Sequence, residues 1–163
     1  MSSFIVTSDG IVNGKYLDKY GKRGKDKIAG MPVLSPPVKI ENAPQGTACF
    51  AMIMEDEDAI PVCGYSFIHW LATDFTETYL PEGISGQNLF PEGNNDYGVG
   101  RSGGDCARYG GMGPPNAPHL YQLHVYALDQ KTGLKKGFSY DNLKEAIEDH
   151  ILAEYTLNGI YDN

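Results

Sequence analysis

TACFAMIM, residues 47–54, is apolar at odd and even positions alike. Successive side chains of a strand point to opposite faces, so a run of this kind reads as a central strand covered on both sides. Asn42-Ala43-Pro44-Gln45-Gly46 just before it is turn chemistry. Two further runs have the same character. YSFIHWLA (65–72) is rich in aromatics, and HLYQLHVYAL (119–128) places Tyr121, Leu123, Val125 and Ala127 on one face. His119 shares its parity with Tyr121, so the two side chains are predicted to point the same way.

One helix is legible. Ser139 is a plausible N-cap and Asp141 complements the dipole of the first turn. Leu143, Ala146, Ile147, His150 and Ile151 follow at the spacing of one buried face. Residues 154–161 then alternate through Tyr155, Leu157, Gly159 and Tyr161, which predicts a short terminal strand.

A chain of 163 residues suits one domain, 1–163, since two domains would each have too thin a core. With 41% hydrophobic and 21% charged residues it is globular. Twenty glycines and ten prolines favour turns and strands over long helices. Lys+Arg 13 against Asp+Glu 21 gives a net charge of −8, which argues against nucleic acid and against an anionic membrane surface. No apolar run approaches the roughly 20 residues of a membrane span. The start, MSSFIVTSD, lacks a basic region and a long apolar run, and the three cysteines make no disulfide framework. A cytoplasmic location is therefore expected.

Residues 15–27 hold six of the thirteen basic residues together with Gly21 and Gly24, which reads as an exposed loop. Residues 73–118 show no clear period, and ten of the 20 glycines lie between Gly83 and Gly113. Both ends join predicted core strands, so this stretch is expected to be an ordered loop that walls a site.

Gly98-Val99-Gly100-Arg101-Ser102-Gly103 matches G-x-G-x-x-G but lacks the flanking strand and helix of a dinucleotide site. Glu55-Asp56-Glu57-Asp58 has the charge of a calcium loop without its glycine or closing glutamate. It reads as a solvated acidic loop, with room for one carboxylate to turn inward. Cys63, Cys106, His69 and His119 show no short zinc-ligand spacing, so neither metal nor cofactor is expected. There is no serine or cysteine nucleophile signature. His69 and His119 are each, taken alone, ordinary core histidines. The set is more informative: Asp56 at one strand end, His69 in the next strand, His119 and Tyr121 in a third, and Gly113-Pro114-Pro115 just before it.

In these residues the sequence resembles the phosphatidylethanolamine-binding protein family, in its bacterial Raf-kinase-inhibitor-like branch. Asp56-Glu57-Asp58-Ala59-Ile60-Pro61 is similar to the family's D-P-D-A-P loop, with Glu57 and Ile60 in place of prolines. His69-Trp70 is similar to its H-W strand. Gly113-Pro114-Pro115, His119-Leu120-Tyr121 and Val125-Tyr126-Ala127-Leu128-Asp129 follow its G-P-P…H-R-Y…V-Y-A-L-D, with Leu120 at the arginine. Ser35-Pro36-Pro37 and the C-terminal pattern from Leu143 to Tyr161 complete the resemblance.

The resemblance implies a mostly β fold, two antiparallel sheets packed as a sandwich with a small C-terminal helical part. It also implies a shallow pocket for phosphate-like anions, lined by Asp56, His69, Gly113, Pro115, His119 and Tyr121. The expected function is binding of phosphate or a phosphoethanolamine-like group, with a protein partner such as a kinase or protease as a further expectation. Catalysis is not expected. In that pocket the two histidines and Tyr121 would donate to the anion, and Asp56 would keep the imidazoles protonated. Two alternatives stand beside this. One is an acid–base enzyme acting on a phosphorylated small molecule through Asp56, His69 and His119. The other is an interaction protein that reads a phosphorylated or acidic segment. A homodimer is possible on exposed aromatics such as Tyr97 or Tyr109.

Overall fold

The computed structural model describes residues 3–98 and 105–163, so the G-x-G-x-x-G match lies outside the described residues except for Gly98. The run at 47–54 belongs to β7 (Cys49–Asp56), which lies antiparallel between β8 (Phe67–Phe75) and β10 (His119–Leu128). β10 pairs on its other side with β11 (Ile151–Tyr161). β2 (Ile11–Val12) and β3 (Lys15–Tyr16) extend this sheet to six strands, β3 through one parallel bridge between Lys15 and Ile160. A second sheet holds β1 (Ile5–Thr7), β6 (Val38–Glu41) and β9 (Tyr79–Leu80), all antiparallel. β4 (Lys27–Ile28) and β5 (Met31–Pro32) form a separate ribbon. The expected sandwich of mostly antiparallel sheets is present.

The two parities of β7 serve two cores. Phe50, Met52 and Met54 pack with Val6, Ile40, Leu80, Trp70, Leu123 and Val125 between the sheets. Cys49, Ala51 and Ile53 pack with Tyr126, Phe138, Leu143 and Ile147 on the opposite side. That second cluster lies under α2 (Tyr140–Ile147), which explains why the strand is apolar throughout. Ser139 caps α2 by accepting from the Asn142 backbone N–H, while the Asn142 side chain accepts from the Ser139 N–H.

Three local expectations are corrected. The helix stops at Ile147, so its buried face is Leu143 and Ile147. His150 lies beyond the helix, where its Nδ1 is 2.9 Å from Asp129 Oδ1, and Ile151 opens β11 exposed. The terminal strand is long, because β10 offers it a continuous ladder from Leu128 back to His119. Residues 15–27 are not simply an exposed loop: Tyr16 and Tyr20 are buried in the main core, and Lys19 between them faces outward.

The long connection after β8 is ordered where described. Glu92 is buried and satisfied: Trp70 Nε1, Ser85 Oγ and the Gly86 N–H donate to it at 2.9, 2.5 and 2.8 Å. Ser85 Oγ accepts in turn from the Tyr109 N–H at 2.8 Å. One carboxylate thus ties the Gly-rich segment to β8, since a buried charge is tolerated only when fully hydrogen-bonded.

Candidate functional site

β7, β8 and β10 are neighbours, so residues distant in sequence meet at one end of the sheet. Asp56 ends β7 opposite Phe67, His69 lies two residues further along β8, and His119 and Tyr121 open β10. A cavity of about 230 Å³ opens there. It is lined by Asp56, His69, Gly113, Pro115, His119 and Tyr121, every site residue expected from sequence. Ala59, Val62, Cys63, Phe67, Tyr97 and Pro114 supply the remaining walls. Val62 and Cys63 come from α1 (Ile60–Cys63), a single helical turn ended by Gly64 at φ 93.

The inward carboxylate of the acidic stretch is Asp56. Glu55 is held by His124 Nε2 at 2.9 Å, and Asp58 accepts from the Leu120 N–H at 2.9 Å. Asp56 is 3% exposed. Its Oδ2 lies 2.7 Å from His119 Nδ1; its Oδ1 is buried and makes no hydrogen bond of ordinary geometry among the described residues, although the Tyr121 hydroxyl and the Asp58 N–H interact with the carboxylate. Burial raises the Asp56 pKa, against the pull of the His119 hydrogen bond.

The histidines differ. His69 Nδ1 lies 2.6 Å from the Gly110 carbonyl oxygen, so Nδ1 carries the proton and donates. In the neutral ring Nε2 is then an acceptor. Burial pushes the His69 pKa down to about 4, and the backbone carbonyls of Gly110 and Gly111 only partly offset it. His69 is therefore neutral near pH 7, which corrects the expectation that Asp56 keeps both imidazoles protonated. Asp56 contacts His119, whose Nε2 also has a partner, Asn116 Oδ1 at 2.7 Å. With both nitrogens engaged inside the protein, His119 orients Asp56 and leaves no free donor for an anion.

Aromatic edges close the cavity. Tyr121 meets His69 edge-on at 5.2 Å, and Phe67 packs against His69 at 4.7 Å and Tyr97 at 5.0 Å. Burial and the nearby Asp56 charge raise the Tyr121 pKa, so its hydroxyl stays protonated and can donate. Tyr65 stacks on Phe67 from outside at 6.4 Å. Behind the Gly113-Pro114-Pro115 wall the Lys22 N–H donates to Met112 O at 2.7 Å and Lys22 Nζ to Pro114 O at 2.8 Å. The basic segment thus buttresses the cavity. Gly113 has no positive φ, and a Cβ there would meet Lys22 only at an ordinary 3.6 Å. Neither backbone nor packing requires glycine at 113.

The family profile described as phosphatidylethanolamine-binding protein matches residues 7–162. The chain belongs to the phosphatidylethanolamine-binding protein family. It is 37% identical over 150 residues to the uncharacterized protein YxkA of Bacillus subtilis, covering 86% of this chain and 89% of the relative. Among solved structures it is similar to a putative phosphatidylethanolamine-binding protein homologue of Chlamydia trachomatis, with TM-score 0.80, 28% identity and coverage of 99% and 98%. It is equally similar to E. coli YbcL, described as a member of the mammalian family, with TM-score 0.80, 26% identity and 99% coverage of both chains. No helix among the described residues is long and apolar enough to cross a membrane. In this phosphatidylethanolamine-binding protein family member, sequence reasoning missed Asn116, Phe67 and Tyr97. The spacing from Asn116 to His119 was the available sign for the first, and the same-parity pair Phe67 and His69 for the second.

Proposed function

We propose that the cavity binds a small phosphate-like oxyanion, phosphate itself or a phosphoethanolamine-like group, in its protonated, singly charged form. The observation that carries this is the buried Asp56 Oδ1, which has no hydrogen bond of ordinary geometry among the described residues, in the same cavity as a neutral His69. A fully ionised phosphate would meet two acceptors there. A phosphate that keeps its protons donates to them, while its other oxygens accept from the Tyr121 hydroxyl. No Lys or Arg lines the cavity among the described residues. The protein's charge of −8 also opposes long-range attraction of anions. A few hydrogen bonds to a charged group, less the ordering cost, suggest affinities of roughly millimolar to micromolar.

Gly113 supplies the test. Its freedom from packing and backbone constraint supports close approach of a ligand at this wall. Gly113→Ala should leave thermal unfolding unchanged and weaken phosphate binding about tenfold or more by calorimetry. Binding that matches the wild type would remove the ligand from this wall.

The protein acts, on this reading, as a binder that modulates a partner such as a kinase or protease. Capture of a partner that free phosphate competes away is the corresponding result. The acid–base enzyme has one feature in its favour: the unprotonated Nε2 of His69 is a base inside the cavity. Turnover in a phosphoester screen, lost in His69→Ala, would favour it over the binder.

A further inference from the structure

Asp56, His119 and Asn116 form a continuous chain of hydrogen bonds. Asn116 sits on the exposed segment just before β10, yet its carboxamide oxygen turns in to His119 Nε2 at 2.7 Å. His119 Nδ1 reaches Asp56 Oδ2 at 2.7 Å, and the chain ends on the buried Asp56 carboxylate, whose Oδ1 has no hydrogen bond of ordinary geometry among the described residues. We propose that Asn116 is a positioning residue for the cavity, acting through His119 to aim Asp56 Oδ1 at the ligand. The proposal rests on the oxyanion reading above and assigns Asn116 no contact with the ligand, since it is not among the residues that line the cavity.

Each ring nitrogen has an oxygen at 2.7 Å, so the imidazole is clamped at both ends. A ring held only through Nδ1 can swing about its Cβ–Cγ bond, and Asp56 would swing with it. A carbonyl oxygen on Nε2 removes that freedom and makes Oδ1 a fixed acceptor. This selects ligands that bring a donor to that point. It also explains how an exposed side chain controls a buried one: the contact lies at the base of β10, where His119 is 3% exposed.

The test compares Asn116→Ala and Asn116→Asp with the full-length wild type, using inorganic phosphate in calorimetry and the ring ¹⁵N resonances of His119. Loss of the clamp in Asn116→Ala should weaken phosphate about three- to tenfold with unfolding temperature unchanged, and should shift the His119 Nε2 signal with or without phosphate. Asn116→Asp keeps an oxygen acceptor on Nε2 and should restore near wild-type affinity.

Three results overturn the proposal. In the first, Asn116→Ala binds phosphate as the wild type does. In the second, Asn116→Asp abolishes binding while Asn116→Ala is mild, which means direct contact and charge repulsion. In the third, His119 resonances are blind to Asn116→Ala, which means the clamp is absent. A wild type that binds no phosphate overturns the oxyanion reading, and the positioning of a ligand with it. The His119 signal then still reports whether the chain of hydrogen bonds exists, so the two failures are told apart.

Discussion

His69 is the residue on which chemistry and stability meet. Its pKa near 4 in the folded protein lies below the usual 6.5, because burial disfavours the charged ring. Between those values the unfolded chain binds a proton that the native ring refuses. Stability therefore falls as pH drops from about 6.5 to about 4 and is level above that window. The full effect approaches about 3 kcal/mol. His69→Asn, whose amide nitrogen takes the place of Nδ1 and can still donate to Gly110 O, should flatten this slope in denaturant unfolding measured at several pH values. An equally steep slope in the variant would place the pH dependence elsewhere. From sequence, His69 was visible as a histidine beside Trp70 in an apolar strand, and its place in the site came from resemblance. Its protonation state was not visible, because burial and the Gly110 carbonyl come from a loop forty residues away. The same is true of Asn116 and His119, whose hydrogen bond depends on how the segment before β10 turns.

At the scale of elements, the strands were legible because their apolar parities are long and regular. The two-faced run at β7 followed from a core on each side. What escaped were short pieces fixed by tertiary contact. α1 is one turn of helix, too short to show a period. The segment at 15–27 reads as basic and loop-like, yet Tyr16 drops into the core against β11. Gly159 of β11 is the mark of that contact: a Cβ there would lie 2.3 Å from the Tyr16 ring. Gly159→Ala should destabilise the fold by about 1–3 kcal/mol through forced repacking, read from the denaturant midpoint. A neutral result would mean that β3 can move away from β11 without loss. The length of β11 was underestimated for a related reason. Its first residues, Ile151 and Leu152, are exposed and alternate weakly, so only pairing with β10 extends the strand.

At the scale of the whole molecule, an acidic chain brings one buried carboxylate, two imidazoles and two phenols into a cavity with mostly apolar walls. Composition alone pointed away from nucleic acid and towards a strand-rich domain, and the family match agrees with the second. Composition carries no information about a pocket built from three strand ends and a proline wall, because that depends on strand order. The central claim is that the cavity takes an oxyanion only while the ligand keeps a proton for Asp56 and His69. Phosphate and its monoesters pass from the singly to the doubly charged form near neutral pH, a monoester at about pH 6 and inorganic phosphate somewhat higher. The decisive measurement is calorimetric titration of the wild type with phosphate between about pH 5 and pH 9. Affinity should be highest at the acid end and decline as the dianion takes over. Affinity that climbs steadily towards alkaline pH would contradict the account.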